Sequence, residues 1–245
     1  MLKIQGATKY YSNNVALKNA DLTLDRGEVV GLFGANGAGK TTLLKGAMSL
    51  VSLNQGSVTL DGAALTQDAY EKLSFITEEG SFFPGLSPRA HGEFYTQMLP
   101  RFKLDRYERL LDFFELDTNK KARNLSRGQR AKLEIAIGMS RGADFILMDE
   151  PFLGKDLFTR SDFLKLMIAM LEPSEGTLIA THQIEEIEMF ITRAVIMKDG
   201  EIVANEAIDS LAARGETLSG FIQKSCGYDE GRVMGFLGRK GVVFL

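Results

Sequence analysis

The run Gly34-Ala35-Asn36-Gly37-Ala38-Gly39-Lys40-Thr41 constrains this chain more than any other stretch, because it fits G-x-x-x-x-G-K-[ST], a phosphate-binding loop. Such a loop works between a strand and a helix, and both neighbours suit. Upstream, Glu28-Val29-Val30-Gly31-Leu32-Phe33 is a short apolar run that reads as a buried strand; downstream, Thr42-Leu43-Leu44-Lys45 reads as a helix start. The glycines let the backbone curl so that successive N–H groups face one anion, and the helix N-terminus adds its positive dipole. Asn36, Gly37, Ala38, Gly39 and Thr42 then border a phosphate chain, Lys40 reaches the outer phosphates, and Thr41 offers its hydroxyl to Mg²⁺.

At 245 residues the chain is long enough for one large domain or two small ones, and a single α/β domain with a helical insertion is the natural reading. Its 44% hydrophobic and 25% charged residues are globular values. A net charge of -3 speaks against a nucleic-acid surface, so no nucleic-acid partner is expected. Cys226 has no second cysteine to pair with, lies outside every motif, and reads as structural or incidental. Without a long apolar opening stretch, a reducing cytoplasmic setting is expected. Nowhere do 18 apolar residues run together, so any membrane role is expected to come through a partner.

Short β-like runs open the chain, at Leu2–Ile4, Ala16–Leu24 and Glu28–Phe33, and predict a small antiparallel sheet feeding a parallel one. A helix to about Met48 follows, then Gln55–Leu60 with the hairpin signal Asp61-Gly62, and a strand over Leu73–Thr77. From about Gly80 to Leu125 the periodicity turns helical. Tyr107, Leu110, Leu111 and Phe114 fall at i, i+3, i+4 and i+7, one apolar helix face. Strand signals return at Phe145–Met148, Thr177–Ala180, Ala194–Met197 and Glu201–Ala204, with a helix predicted over Asp156–Leu171. Strands alternating with helices after a phosphate loop imply a mostly parallel sheet with helices on it. Beyond Ala213, seven glycines break up the signal and the segment has no assigned role.

A phosphate loop needs an acidic partner, and Phe145-Ile146-Leu147-Met148-Asp149-Glu150 supplies one. Its apolar residues predict a strand beside the loop strand, with Asp149 at its end to hold Mg²⁺ opposite Thr41. Glu150 is then the candidate general base, accepting a proton from the attacking water. Leu125-Ser126-Arg127-Gly128-Gln129 precedes a helical run over Arg130–Met139. Ser126 is a good N-cap there, and the N–H groups that follow make an anion site.

With these motifs in order, the chain resembles the ATP-binding cassette (ABC) family over about residues 1 to 210. Leu125–Gln129 matches the signature L-S-G-G-Q, with Arg127 in place of the first glycine. The resemblance implies a P-loop NTPase fold: a core from 1–79 and 143–210 that includes the antiparallel β part, a helical part over 80–142, and a C-terminal extension over 211–245. It also implies ATP and Mg²⁺ as ligands, and a head-to-tail dimer in which Ser126, Gly128 and Gln129 face the γ-phosphate held by a second nucleotide-binding subunit, a copy of this chain or a paralogue. Tyr11 matches the aromatic residue that stacks on adenine, with Tyr10 as a rival; His182 matches the switch histidine at the γ-phosphate. Glu78 stands where the family usually has a Mg²⁺-contacting glutamine, and Asp156 matches the aspartate that reaches across the dimer, beside an unusual Lys155. His91 has no motif and reads as a surface helix residue.

The function so implied is ATP hydrolysis at the cytoplasmic face of a membrane, driving an integral membrane permease that docks near Glu79–Leu99. Phe82 and Phe83 in that stretch read either as interface or as cover for the helical part's own core. The short insertion, Glu78-Glu79 and Leu99-Pro100-Arg101-Phe102 resemble bacterial exporters of the ABC-2 type, for peptides, antibiotics or lipids. The alternative is a soluble ABC ATPase without a membrane partner, of the iron–sulfur cluster assembly kind.

Overall fold

The computed structural model describes residues 1–77, 80–151, 165, 167, 169–182 and 184–227. A hairpin of long strands, β1 (Leu2–Tyr11) and β2 (Asn14–Leu24), opens the chain and pairs antiparallel with β4 (Gln55–Leu60), which turns through Asp61 and Gly62 into the short β5 (Ala63–Ala64). Asp61 and Gly62 both have positive φ, the geometry that the tight two-residue turn demands. The strand read over Leu2–Ile4 is in fact the start of a ten-residue strand, whose bulges interrupt its alternation.

The second sheet runs β10-β9-β3-β8-β7-β6, from strands β3 (Val29–Phe33), β6 (Leu73–Ile76), β7 (Phe145–Asp149), β8 (Gly176–Thr181), β9 (Arg193–Lys198) and β10 (Glu201–Ala207). All neighbours are parallel except β9 and β10. Its central strands are buried on both faces, which is why they read as unbroken apolar runs. Side-chain alternation splits them between two cores. Val30, Leu32, Phe145 and Leu147 face the antiparallel sheet and α1 (Lys40–Ala47), whereas Val29, Phe33, Ile146 and Met148 face the helical part.

One expectation fails here. The acidic strand β7 does not lie beside the loop strand β3, because β8 sits between them, with Ile179 paired to Gly31 on one side and to Met148 on the other. All six residues of β8 are buried, so this strand takes the central place, and its own C-terminal end joins the site.

The helical part comprises α2 (Pro88–Met98), α3 (Leu104–Phe113) and α4 (Arg127–Ser140), with Tyr107, Leu110, Leu111 and Phe114 buried in its core as their spacing predicts. Helix α4 comes so close to β6 that a Cβ on Gly138 would lie 2.3 Å from Ile76 Cγ1, and Ser74 Oγ donates to the Gly138 carbonyl at 2.7 Å. Short helices α5 (Ile184–Ile187), α6 (Ile208–Ala213) and α7 (Leu218–Ser225) complete the described chain. Most of the helix read over 156–171 falls outside the described residues.

Candidate nucleotide site

Parallel register brings the C-terminal ends of β3, β7 and β8 to one edge, where Phe33 pairs with Thr181 and Asp149 with Ala180. Ligands of open α/β sheets bind at such an edge. The glycine loop leaves β3 here and runs straight into α1, whose first residue is Lys40. Gly39 sits at φ 108, and a Cβ there would come within 2.5 Å of the Ala16 carbonyl, so the start of β2 lies directly against the loop. Tyr11 is placed by the same hairpin. Both Tyr11 and its rival Tyr10 are exposed, and the Lys9 ammonium lies 5.0 Å from the Tyr11 ring centroid.

Lys40 is buried, and its Nζ donates to the carbonyls of Gly34 at 2.7 Å and Ala35 at 3.4 Å. Glu150 Oε1 stands 3.9 Å from the same nitrogen. Burial pushes the ammonium below its ordinary pKa, and the charges of Glu150 and Asp149 pull it back only in part. A cation held this way is poised to exchange carbonyl oxygens for phosphate oxygens.

Asp149 closes β7, and its carboxylate takes a hydrogen bond from the Thr41 side chain. Its Oδ1 is buried with no hydrogen-bond partner. Burial is the main reason its pKa lies above the ordinary value; the Glu150 charge adds to this, while Thr41, Lys40 and Lys45 oppose it. An orphaned carboxylate oxygen beside a hydroxyl is a hard-oxygen donor pair that fits Mg²⁺, an ion that binds through one or two carboxylates plus substrate phosphates. No group of three or more acidic, histidine or cysteine side chains is placed to hold a metal ion among the described residues, so an all-protein metal cage is not what they build.

Glu150 has φ 46, an uncommon conformation for this residue, and its N–H donates to the Ala180 carbonyl at 2.9 Å. Its carboxylate accepts from Thr181 Oγ1 at 3.1 Å and lies 3.0 Å from His182 Nδ1, which donates when it carries the proton. Sequence reasoning missed Thr181. Its place at the end of a buried strand, one residue before His182, is the signal that could have found it.

Ser126 begins the second element. Its Oγ accepts from Gln129 N–H at 3.2 Å while Gln129 Oε1 accepts from Ser126 N–H at 3.0 Å, a complete capping box that starts α4 at Arg127, three residues earlier than the periodicity suggests. Ser126 and Arg127 are exposed, and Gly128 and Gln129 half-buried, so this helix end faces outward. Glu78, Lys155 and Asp156 lie outside the described residues.

His91 corrects a second expectation. It is fully buried, not a surface residue, with Nδ1 2.9 Å from the Ser87 carbonyl and Nε2 accepting from the Phe83 N–H at 2.9 Å. Its ring stacks among Phe83 and Tyr95, and burial lowers its pKa. Phe82 packs against the core, and Phe83, although 45% exposed, sets its ring against His91, Phe94 and Tyr95.

Comparison with known proteins meets the same motifs. The ABC transporter family profile matches residues 17–153, more than half of the chain. The ABC transporter ATP-binding protein YtrB of Bacillus subtilis is 28% identical over 214 residues, covering 86% of this chain and 73% of its own length. The ABC transporter ATP-binding protein NatA of the same organism is 31% identical over 216 residues, covering 83% and 87%. The dimeric structure of MJ0796, a bacterial ABC transporter cassette, superimposes with a TM-score of 0.71 at 25% identity, covering 85% of this chain and 99% of that one. A post-hydrolysis state of MJ0796 bound to ADP and Pi gives 0.73 at the same identity and coverage. The chain therefore belongs to the ABC transporter family: it is a P-loop ATPase of the kind coupled to transport, with ATP as its nucleotide and Mg²⁺ as the accompanying ion.

Proposed function

We propose that two such chains, or this chain and a paralogue, close head to tail around two Mg-ATP and power export by an integral membrane subunit at the cytoplasmic face of the membrane. The observation that carries this reading is the split character of the site. One edge of the core sheet gathers the glycine loop, Asp149, Glu150 and His182, while the capped anion site at Ser126 faces solvent from a separate helix. The backbone of Asn36, Gly37, Ala38, Gly39 and Thr42 cradles the phosphates, Tyr11 stacks on adenine, and Lys40 moves from the loop carbonyls to phosphate oxygens. Thr41 and Asp149 would hold Mg²⁺, with Glu78 proposed as a third oxygen donor, and the bound ion would supply positive charge to offset what builds up during transfer.

Water attacks the γ-phosphorus in line with the β,γ-bridging oxygen. The new P–O bond forms as the bridging bond breaks, ADP leaves with the bridging oxygen, and the water proton passes to Glu150. Thr181 and His182 fix the Glu150 carboxylate in position, and His182 adds a contact to the γ-phosphate. Ser126, Gly128 and Gln129 of one chain complete the γ-phosphate site of the other, and Asp156 links the two sites.

The partition into a core (1–79 and 143–210), a helical part (80–142) and a C-terminal extension (211–245) belongs to the same reading. No described helix is long and apolar enough to cross a membrane. The membrane subunit docks near Glu79–Leu99, a stretch in which Phe83 is exposed and Ser81 helps line a groove of about 280 Å³ together with Met48, Leu50, Tyr70, Phe75 and Arg141. The short helical part and Leu99-Pro100-Arg101-Phe102 support export of a peptide, antibiotic or lipid. Purification of the chain from native membranes tests the reading: an integral membrane protein should accompany it, and a chain recovered alone and fully active in the soluble fraction would refute the transporter role.

A further inference from the structure

Glu134 is a charged residue on the inward face of α4, 2% exposed, and neither phosphate binding nor proton transfer as described uses it. Its carboxylate accepts from Ser81 N–H at 2.6 Å and Ser81 Oγ at 2.9 Å, and takes a third hydrogen bond from the Thr77 backbone. Thr77 and Ser81 bracket positions 78 and 79, which follow strand β6. One carboxylate on α4 thus grips the chain on both sides of that point.

The residues just beyond are fastened to the same body. Tyr95 Oη donates to the Ser81 carbonyl at 3.4 Å, Phe83 N–H to His91 Nε2 at 2.9 Å, Arg123 N–H to the Pro84 carbonyl at 3.0 Å and Ala122 N–H to the Leu86 carbonyl at 2.8 Å. All four partners belong to the helical part. Thr77 and Ser81 also line the groove that Met48, Leu50, Tyr70 and Phe75 border. Glu134 stands eight residues after Ser126, roughly 12 Å along one rigid helix from its exposed anion site.

A side chain present only to fill space would not be a carboxylate. Burying a charge is costly unless its bonds repay it, and an apolar residue of similar volume often serves stability equally well. The three bonds from Thr77 and Ser81 are what this carboxylate supplies.

We propose that Glu134 is a positioning residue for ATP hydrolysis, locking Thr77 and Ser81 to α4 so that the anion-site helix and the border of the groove shift as one piece. The inference rests on the reading of Ser126 as half of a shared ATP site. A displacement of α4 on meeting the partner's nucleotide is passed directly to the segment through Glu134, without relying on the flexibility of the chain between them.

The test compares wild type with Glu134→Met, Glu134→Gln and Ser81→Ala in thermal stability, amide hydrogen exchange of the 77–83 stretch and steady-state ATPase kinetics. Met replaces the charge with apolar volume, so Tm should hold or rise. Exchange at Thr77 and Ser81 should speed up about tenfold or more, and kcat should drop about tenfold with the KM for ATP within about twofold. Glu134→Gln keeps one acceptor oxygen and should recover part of both losses. Ser81→Ala removes one of the three bonds and should give a smaller loss of kcat, which keeps the inference testable if Glu134→Met fails to fold. A folded variant with faster exchange and wild-type kcat would overturn the coupling. A fall in Tm and kcat together, with exchange of the stretch unchanged, would reduce Glu134 to a structural role. If wild type itself hydrolyses no ATP, the functional reading falls with it; if wild type is active and Glu134→Met equals it, this inference alone falls.

Discussion

The two ends of strands β3, β7 and β8 are built on opposite plans. Where the strands begin, each is preceded by a carboxylate held by arginine: Glu28 by Arg193 at 2.8 Å, Asp144 by Arg26 at 2.7 Å and by Arg101, and Glu175 by Arg106 at 2.8 Å. Where they end, the same strands deliver Asp149 with an unpartnered oxygen and Glu150 at positive φ, beside a Lys40 that donates to carbonyls of its own loop with Glu150 3.9 Å away. Charge is neutralised at one edge and left available at the other. The available edge is where a phosphate chain and its cation would complete the bonding, which is the usual arrangement when stability and function compete for polar groups.

Glu150→Gln should produce the largest effect, since removing a general base costs about 10²- to 10⁴-fold in kcat. ATP affinity and Tm should stay near wild type, which equilibrium nucleotide binding and a thermal melt would check. Hydrolysis within a few-fold of wild type would remove Glu150 from that role.

A paired substitution on one strand probes the contrast itself. Asp149→Asn removes a buried charge with one oxygen left without a partner, so turnover should be lost while Tm holds or rises. Asp144→Asn takes the charge partner from Arg101 and one of two from Arg26, so stability should fall by about 1 kcal/mol while kcat survives. Stability and activity moving together in both variants would erase the difference between the edges.

Acid should act chiefly on the arginine-held edge. Burial raises the Asp144 and Glu28 carboxyls, but arginine hydrogen bonds outweigh it and hold both below the ordinary range; Arg26 and the N-terminal ammonium do the same to Asp61, well below it. With folded pKa values depressed, this stabilisation is fully present above the unfolded value near about 4 and is lost as pH falls through the folded ones. Between pH of about 5 and 3, Asp144→Asn should therefore show a flatter fall of Tm than wild type, the smallest of the three effects.

How much of this the sequence carries differs between the edges in the same way. The glycine loop, Asp149, Glu150 and Ser126 are local patterns, readable because each needs only its own neighbours to state its chemistry. The arginine pairs are not local: Arg26 reaches Asp144 across 118 positions and Arg106 reaches Glu175 across 69, so nothing in their spacing announces them. The central place of β8 was illegible for a related reason, because strand order depends on which strands bury both faces rather than on which come next in the chain. His91 shows no period or motif that would mark it as buried, since its burial depends on the aromatic cluster around it. Helix α7 was legible but missed: Thr217 caps it and Leu218, Phe221 and Ile222 bury one face, with Gly220 diluting the signal.

The central claim is that this chain holds half of each ATP site. Sedimentation of the Glu150→Gln chain with and without Mg-ATP tests it most directly, alongside the same chain carrying Ser126→Phe. The account predicts ATP-dependent dimers holding two nucleotides for the first, and monomers that still bind one ATP each for the second. A wild-type chain that hydrolyses ATP while remaining monomeric, or a Ser126→Phe chain that dimerises unimpaired, would contradict it.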